Sequence, residues 1–362
     1  MAGHRLPLAS DDAPRSLAAE DRESLGDWLS ARGWPNSHAG RILRAYYGHS
    51  GRPEWGQLEV GDSLRTLLRD RWGGRALAER DRQTSADGTT KLLLGLRRGG
   101  TVEAVMMPSY RDGEAWSCLS SQVGCAMGCD FCASTRGGLV RSLTVDEIVE
   151  QYLAVAHVAA QAGRRIRRVV FMGLGEPLHN LEAVLPAIDR IAAPGLGGLG
   201  WSRITVSTVG IVHGMERMAA HHHPPFLALS LHAPDDETRA RIVPTTRRYD
   251  VQTLLDAARD YQAKTGRVVN VEYCLLAGVN DRDEQAELLA RRLRGLRFHV
   301  NLIPYNATGP GLSGVVYERP TRARVERFTE LLRAGGINTH VRDTRGDDVA
   351  AACGQLRERS GT

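Results

Sequence analysis

The sequence predicts an α/β fold in which parallel strands alternate with helices, preceded by a small helical N-terminal unit. From residue 116 onward, short apolar runs typical of buried strands are separated by longer segments with helical periodicity. Strands that alternate with helices pair in parallel, because each connection must cross over the sheet. A partial barrel of the (β/α)6 type fits this order best, and its functional loops would lie at the carboxyl ends of the strands.

The elements of the barrel follow one another along residues 116–362. Strand-like runs occur at 169–172, 204–207, 226–230, 268–273 and 298–303. Helical patterns lie between or beside them, at 144–160, 181–192, 251–264 and 282–293. No repeat of fixed period and no low-complexity tract interrupts this order, so one continuous α/β domain is expected.

Two smaller units precede the barrel. Residues 1–75 are predicted to be a helical accessory domain, because apolar residues recur at helical spacing over 17–31, 39–47 and 63–72. Such a unit either docks structured RNA or packs as a lid on the barrel, and the sequence leaves both open. Residues 76–115 are predicted to form a connecting β-hairpin, with strands at 90–96 and 101–107 around a turn rich in Arg and Gly.

The composition is that of an ordinary globular protein. The 362 residues are 42% hydrophobic and 25% charged, and the chain can bury a substantial core. No apolar run approaches the roughly 18 residues of a membrane span, and the N-terminal residues lack the apolar core of a signal peptide. We therefore expect no membrane association and a cytoplasmic location, where thiols stay reduced. The net charge of +5 is compatible with a polyanionic partner but does not require one.

Three cysteines with C-x3-C-x2-C spacing are the strongest chemical signal in the chain: Cys125, Cys129 and Cys132. Thiolates at this spacing can bind three corners of a cubane [4Fe–4S] cluster, which leaves the fourth iron free to bind a substrate. Zinc is the alternative, but structural zinc needs a second ligand pair, and no C-x2-C or H-x3-H pair follows. Cysteines with only a structural role are a third, less favoured interpretation.

Small polar groups follow successive strands. Gly173, Gly175 and Glu176 come after the first of the predicted strands, where glycine lets the backbone approach a ligand and the carboxylate can accept from an ammonium group. The later strand ends carry Ser207, Thr208, Ser230, His232 and Asn306. Each of these alone is more often a cap or turn residue than a ligand. Their recurrence at one edge of the sheet favours a binding site.

The remaining cysteines and a histidine run are less decisive. Cys118 lies close before the cysteine motif, and Cys353 lies near the C-terminus in polar, Gly-containing surroundings that favour an accessible thiol. Cys274 sits in an apolar strand and is expected to behave as a small hydrophobic residue. Spacing alone does not indicate that Cys118 and Cys353 meet. The run His221–His223 is interpreted as an exposed loop, with metal binding the less favoured alternative.

The cysteine spacing, with Phe131 before its last cysteine, resembles the radical S-adenosylmethionine (SAM) superfamily. More specifically, the chain resembles the RlmN/Cfr family of radical SAM RNA methyltransferases from about residue 80 to its end. The stretches that carry the resemblance are 85–89, 102–105, 118–132, 172–180, 229–234, 272–281 and 344–356. The fold that this resemblance implies is a partial (β/α)6-type radical SAM barrel.

The resemblance also implies a reaction and roles. Members methylate adenosine of large-subunit ribosomal RNA at ring carbon C2 or C8, and the C2 enzymes also act on some transfer RNAs. Two SAM molecules would be used per turnover, one to methylate Cys353 and one to generate a radical. Cys118 would then assist proton removal and form a disulfide with Cys353, and Glu103 would accept a proton. An electron donor such as flavodoxin or ferredoxin would reduce the cluster.

The ligand sets implied by the resemblance are as follows. Cys125, Cys129 and Cys132 would hold the cluster. The SAM contacts would be Gly175, Glu176, Ser207, Ser230, Leu231, His232 and Asn306. One departure lies beside this site: after Cys132 the chain continues Ala-Ser-Thr-Arg-Gly-Gly, where typical members that methylate C2 have Ala-Thr-Gly or Ser-Thr-Gly followed by a glutamine-rich step.

The sequence therefore predicts a radical SAM methyltransferase that modifies an adenine ring carbon, C2 in the favoured case, in large-subunit ribosomal RNA and also transfer RNA. The same chemistry on C8, or on a free adenine-containing small molecule, is the first alternative. A non-catalytic, metal-containing RNA-binding protein is the second. Cys118 and Cys353 argue against the latter, because a binding module needs neither thiol.

Overall fold

The computed structural model describes residues 14–52, 54–295, 297–343 and 345–356. Residues 1–13, on which the signal-peptide expectation and the start of the helical unit depend, lie outside the described residues. The same holds for Thr344 of the C-terminal family motif.

One ten-stranded sheet organises the protein, and a two-stranded sheet lies beside it. The strands are β1 Leu77–Thr84, β2 Thr90–Leu96, β3 Thr101–Pro108, β4 Glu114–Cys118, β5 Gln122–Gly124, β6 Leu139–Ser142, β7 Arg165–Phe171, β8 Ile204–Thr208, β9 Phe226–Ser230, β10 Val269–Leu275, β11 Phe298–Pro304 and β12 Asn338–Val341. The main sheet has the order β1-β2-β3-β4-β7-β8-β9-β10-β11-β12, and β5 pairs with β6. Strands β1 to β4 pair antiparallel. Within the main sheet, every pairing from β4 onward to β12 is parallel. The pair β5 and β6 in the small sheet is antiparallel.

Helices precede the sheet and supply the crossovers between its parallel strands. They are α1 Arg22–Ser30, α2 His38–Gly48, α3 Asp62–Trp72, α4 Val145–Gln161, α5 Leu181–Ala192, α6 Val212–Ala219, α7 Asp236–Ile242, α8 Val251–Thr265, α9 Asp283–Leu293 and α10 Arg322–Ala334. The helices α4 to α10 follow the strands in alternation, so the predicted α/β partial barrel with an N-terminal helical unit is confirmed. No helix in the described ranges is long and apolar enough to span a bilayer.

The predicted elements coincide with observed ones, and the structure adds others. The hairpin of β2 and β3 is confirmed. A third strand, β1, extends it, and β3 pairs with β4, so residues 77–108 continue the main sheet. Strand β1 was not predicted, because seven of its eight residues are at least partly exposed. Helices α6 and α7, with eight and seven residues, are too short for clear periodicity. Helix α10 and strands β5, β6 and β12 were also not predicted. The domain limits at 75 and 115 stay a prediction.

A buried carboxylate attaches the helical unit to the barrel. Glu150 on α4 is fully buried. Its carboxylate accepts hydrogen bonds from the hydroxyls of Ser16 (2.5 Å) and Tyr46 (3.3 Å). It also accepts from the backbone N–H groups of Ala76 (3.0 Å) and Leu77 (3.4 Å). One side chain thus satisfies donors from the helical unit and from the start of β1, which fixes the unit against α4.

Candidate active site

The three cysteines of the C-x3-C-x2-C motif lie in the loop that joins β5 to β6. Cys125 and Cys129 are buried and Cys132 is half-buried. The loop is shaped by its own backbone, since the Cys125 N–H donates to the Gly138 carbonyl (2.9 Å) and the Cys132 N–H donates to the Cys129 carbonyl (3.0 Å). All three cysteines line a first cavity of about 150 Å³, which lies at the carboxyl ends of β7, β8 and β9.

The spacing of the three sulfur atoms is wider than a single metal ion allows. Tetrahedral zinc binds sulfur at about 2.3 Å, which places its sulfur ligands roughly 3.8 Å apart. Within the described residues, the three cysteines are not among the groups whose ligand atoms all lie within 4.8 Å of one another. A cubane cluster binds each thiolate at a different iron, so it suits thiols spread around a shared cavity. The geometry fits the cluster better than it fits zinc.

Burial raises the pKa of these three thiols. The pKa of Cys125 rises to about 12, chiefly through loss of hydration and further through the neighbouring Cys132. The pKa of Cys129 rises well above its ordinary value for the same reasons, with Arg239 opposing the rise. Thiolates at these positions therefore need a positive partner, and the iron ions of a cluster are such a partner.

The turn after β7 packs tightly against β5. Gly175 has a φ of +101°, and a Cβ atom there would lie 2.6 Å from the Cβ of Gln122, so only glycine fits. Glu176 is buried, and its carboxylate accepts from the N–H groups of Leu178 (3.0 Å) and Val209 (2.9 Å). Burial raises the pKa of Glu176 to about 7, while these two hydrogen bonds oppose the rise. An ammonium group in the first cavity would favour the ionised carboxylate.

Ser207, Ser230 and His232, predicted from the strand ends, meet in the first cavity. The hydroxyl oxygens of Ser207 and Ser230 are 3.1 Å apart. The Nδ1 atom of His232 accepts from the Cys274 N–H (3.0 Å), so the neutral ring carries its proton on Nε2. Burial lowers the pKa of His232 to about 3, and Arg239 lowers it further. The site therefore offers two hydroxyls and one neutral imidazole to a ligand.

Leu231 and Asn306, which the resemblance implies as SAM contacts, are not among the described residues that line the first cavity. Leu231 is buried in the hydrophobic core, its N–H donates to the Glu272 carbonyl (3.1 Å), and it is not one of the described residues that line either cavity discussed here. Asn306 follows β11 and lines a second cavity. Its Nδ2 donates to the Cys353 carbonyl (3.3 Å) and its Oδ1 accepts from Arg319 (3.1 Å). Asn306 thus contacts the segment that carries Cys353.

The second cavity, of about 360 Å³, is lined by both Cys118 and Cys353. Cys118 is buried at the end of β4 and packs in a small apolar cluster with Ala351 and Leu356, on either side of Cys353. Burial raises the pKa of Cys118 to about 12, and Cys353 adds to the rise. Cys353 is exposed as a residue and lines both cavities. All six cysteines are described and free, so the disulfide that the resemblance implies is not formed here.

The Cys353 segment is fastened directly to the cysteine loop. The N–H of Ala133 donates to the Gly354 carbonyl (2.8 Å). The buried hydroxyl of Ser134 donates to the Leu356 carbonyl (2.7 Å). Ala133 and Ser134 directly follow Cys132. These two hydrogen bonds therefore connect the cysteine loop to the segment that carries Cys353.

Sequence reasoning did not identify Arg342 and Glu272 as site residues. Arg342 lines the second cavity and Glu272 the first, and they form an ion pair between the two (Nη2–Oε1, 3.4 Å). The Oε1 of Glu272 also accepts from Asn301 (2.8 Å), while its Oε2 is buried without a hydrogen-bond partner among the described residues. Arg342 lowers the pKa of both Cys118 and Cys353, against the larger effect of lost hydration of each thiol, which raises it. The sequence signal that could have identified Glu272 was the presence of a carboxylate in the mostly apolar strand β10.

Glu103, the expected proton acceptor, does not line either cavity as far as the described residues go. It is buried on β3, and its carboxylate pairs with the ammonium group of Lys91 (3.3 Å). The same ammonium group donates to the Ala350 carbonyl (3.1 Å). Through this hydrogen bond, the Glu103–Lys91 pair supports the segment before Cys353 from outside the two cavities.

Two further sequence features lie outside both cavities. Arg136, at which the chain departs from typical family members, donates to the carbonyls of Thr308 and Pro310 (3.0 Å to Pro310). His221 and His222 each place Nε2 3.2 Å from a different carboxylate oxygen of Asp189, near the amino end of β9. Arg136 thus secures a loop, and the histidines pair with a carboxylate far along the strands from the cysteine loop.

Comparison with known proteins identifies the class of enzyme to which this chain belongs. The family model of the Radical SAM superfamily matches residues 119–290, from the end of β4 into α9. The crystal structure of a radical SAM methyltransferase from Sphaerobacter thermophilus superposes with a TM-score of 0.89 and 40% sequence identity. It covers 95% of this chain and 99% of that chain. Fold and site together are those of a radical SAM enzyme.

Curated relatives narrow the class to a family. "Probable dual-specificity RNA methyltransferase RlmN 1" of Opitutus terrae is 51% identical over 348 residues, which is 96% of this chain and 98% of the relative. "Probable dual-specificity RNA methyltransferase RlmN" of Moorella thermoacetica is 49% identical over 283 residues, 76% of this chain and 78% of the relative. The chain belongs to the RlmN family. It is a SAM-dependent methyltransferase, its superfamily implies a [4Fe–4S] cluster and SAM, and the non-catalytic alternative falls away.

Proposed function

We propose that this enzyme methylates the C2 carbon of adenine in large-subunit ribosomal RNA and in transfer RNA, through a methylated cysteine. The observation that carries the proposal is the position of Cys353, which lines both the cavity of the cysteine motif and the cavity that contains Cys118. The printed names of the relatives, dual-specificity RNA methyltransferases, support RNA as the substrate.

The first cavity would hold the cluster and SAM. Cys125, Cys129 and Cys132 would bind three irons, and Glu176 would accept from the SAM ammonium group, for which its buried carboxylate is suited. Beside them, Gly175 would give backbone access, and Ser207, Ser230 and His232 would offer hydrogen bonds to the polar groups of SAM. Leu231 would support this site from the core, and Asn306 would hold the Cys353 segment. When bound, the cluster and SAM supply the one-electron chemistry that removes a hydrogen atom from an unreactive carbon.

Cys353 would carry the methyl group between the two cavities. Its sulfur takes the methyl from one SAM, so that a sulfur–carbon bond forms as the methyl–sulfonium bond breaks and the thiol proton leaves. A second SAM per turnover then activates this methyl group. A ring carbon such as C2 offers no lone pair for direct transfer from SAM, which is why a carbon tethered to a thiol is needed. Arg342 favours the reactive thiolate, because its guanidinium lowers the pKa of Cys353.

Cys118 would release the product. Once the methyl carbon is joined to adenine, the Cys118 sulfur attacks the Cys353 sulfur, a disulfide forms, and the carbon–sulfur bond breaks. The electron pair of that bond goes to the departing carbon, which takes up a proton. Cys118 and Cys353 both line the second cavity, which supports this exchange. Glu103, which pairs with Lys91 and is not among the described residues that line either cavity, would support the segment before Cys353 rather than accept the ring proton. A flavodoxin or ferredoxin would supply electrons.

The test is nucleoside mass spectrometry after anaerobic reaction of the cluster-loaded enzyme with methyl-deuterated SAM and unmodified RNA. Large-subunit ribosomal RNA and transfer RNA transcripts are tested separately, beside free adenosine. Labelled 2-methyladenosine from RNA is the expected result. Labelled 8-methyladenosine, or label in free adenosine alone, would replace the proposal with the corresponding alternative.

A further inference from the structure

An exposed aromatic ring stands at the rim of the second cavity. Tyr110 lies in the turn between β3 and β4 and lines the cavity that contains Cys118 and Cys353. Its side chain is 76% exposed, and it is the one aromatic residue among the large hydrophobic side chains that are exposed in the described chain. Its place beside this cavity makes Tyr110 a candidate contact for a ligand that enters the cavity.

The ring is held in place although it is exposed. Its hydroxyl donates to a carboxylate oxygen of Asp343 (2.7 Å). The guanidinium of Arg345 lies 4.6 Å from the ring centroid, and that guanidinium also donates to the Pro108 carbonyl. The turn below is closed by a hydrogen bond from the Ser109 N–H to the Glu114 carbonyl (2.9 Å). One face of the ring is therefore covered by a cation, and the ring does not have to be ordered when a ligand arrives.

A fixed aromatic face beside an arginine suits a nucleobase. Bases stack on tyrosine rings whatever their identity, and an adjacent guanidinium can meet the phosphate of the same strand. The target adenine itself must enter the cavity to reach Cys353, so the ring at the rim is left for a neighbour. A free adenine compound inside the cavity would leave the ring uncovered, whereas a strand that enters the cavity must pass the rim.

We propose that Tyr110, with Arg345 behind it, stacks on the base of the nucleotide next to the target adenine in single-stranded RNA. This inference rests on the proposed RNA substrate and adds the contact that positions it. Tyr110 is a positioning residue, because it acts on a flanking base and not on the reacting atoms. Its effect should appear in binding of RNA and not in the chemistry at Cys353.

The experiment uses the full chain with its cluster reconstituted, under anaerobic conditions. The probe is an unmodified transcript of large-subunit ribosomal RNA, whose Kd is measured by filter binding and whose KM and kcat are measured by methyl transfer. Tyr110→Ala is expected to raise Kd by about 5-fold to 150-fold, the range for losing one stacked base. KM should rise in parallel, with kcat changed much less. Tyr110→Trp should restore binding, since it restores a flat aromatic face.

A matched control removes a similar stack elsewhere. Arg267 lies 4.7 Å from the ring centroid of Phe226, at the start of β9 and away from both cavities. Arg345→Gln should weaken RNA binding, and Arg267→Gln should leave it unchanged. This pair separates a local contact from a general loss of positive charge.

The outcomes separate this inference from the proposed function. If wild-type enzyme fails to methylate any RNA, the proposed function fails first. If wild-type enzyme methylates RNA while Tyr110→Ala keeps Kd and KM within twofold, only the stacking inference is overturned. A fall in kcat alone would also overturn it, because the ring would then act on the reaction. Weaker binding to whole ribosomal subunits but not to naked RNA would instead make the ring a protein contact.

Discussion

Substitution of Ser134 by alanine tests whether the cysteine loop holds the Cys353 segment in place. Ser134 is buried, and its hydroxyl donates to the Leu356 carbonyl at 2.7 Å. Beside it, the Ala133 N–H donates to the Gly354 carbonyl at 2.8 Å. Ser134→Ala removes the first of these bonds and leaves the second, so the segment keeps its path but loses part of its anchorage.

The magnitude follows from the burial of this hydrogen bond. A typical intramolecular hydrogen bond contributes about 1 kcal/mol, and loss of the donor at a buried carbonyl costs up to about 3 kcal/mol. If this free energy is lost from the local opening equilibrium of the segment that carries Cys353, the population of the open state rises by about 5-fold to 150-fold. Hydrogen–deuterium exchange of a peptide spanning 350–356 measures this directly, under conditions where exchange reports the opening equilibrium.

A matched variant completes this test. Ser313→Ala also removes a hydroxyl bond to the cysteine loop, the one to a carboxylate oxygen of Asp130 at 2.6 Å, but it does not contact the Cys353 segment. We expect faster exchange at 350–356 in Ser134→Ala and not in Ser313→Ala. Equal exchange in Ser134→Ala and wild type would refute the idea that these two hydrogen bonds position Cys353.

Three further predictions concern reactivity, docking and ligand fit. Arg342→Gln should raise the pKa of Cys353, because it removes the cation that offsets burial; methylation of Cys353 by SAM should then slow near pH 7 and recover at higher pH. Glu150→Ala should lower the free energy of unfolding by about 2–4 kcal/mol in urea titrations, because several buried donors lose their acceptor. Gly175→Ala should weaken SAM binding measured by calorimetry, because a left-handed φ and a clash with Gln122 cost about 1–3 kcal/mol.

Each of these has its own comparison variant. Arg345→Gln removes another arginine of the second cavity, so a pH profile shared by both variants would count against a specific effect of Arg342. Glu150→Gln keeps an acceptor and should lose less stability than Glu150→Ala; equal losses would contradict the hydrogen-bond argument. Gly163 has a φ of +68° with open space around a Cβ, so Gly163→Ala carries the backbone strain without the clash and should leave SAM binding intact.

The parts of the fold that the sequence predicted are those with strong local signals. The buried stretches of β7 to β11 are largely apolar, so the existence of these strands was predictable, and with them the edge at which functional groups gather. Ser207 and Ser230 illustrate this, since two separate strand ends place their hydroxyls 3.1 Å apart. The polar strand β1 and the short helices α6 and α7 lack such a signal.

The features that could not be predicted from local sequence depend on contacts between segments that are distant along the chain. Nothing in the sequence near Arg342 indicates that it faces Glu272. The meeting of Cys118 and Cys353 in one cavity was implied by the family resemblance and not by the spacing of the two cysteines. Glu103 is the opposite case: the resemblance assigned it a role, whereas the structure pairs it with Lys91 outside the cavities. Long-range partners decide both outcomes, and local pattern carries no information about them.

The most direct test of the central claim follows the methyl group on Cys353. Cluster-loaded enzyme is treated anaerobically with methyl-deuterated SAM in the absence of RNA, and the peptide that contains Cys353 is analysed by mass spectrometry before and after RNA is added with unlabelled SAM. We predict label on Cys353 that then moves to adenosine, and no transfer in Cys353→Ala. Labelled adenosine formed while Cys353 never carries label would contradict the account.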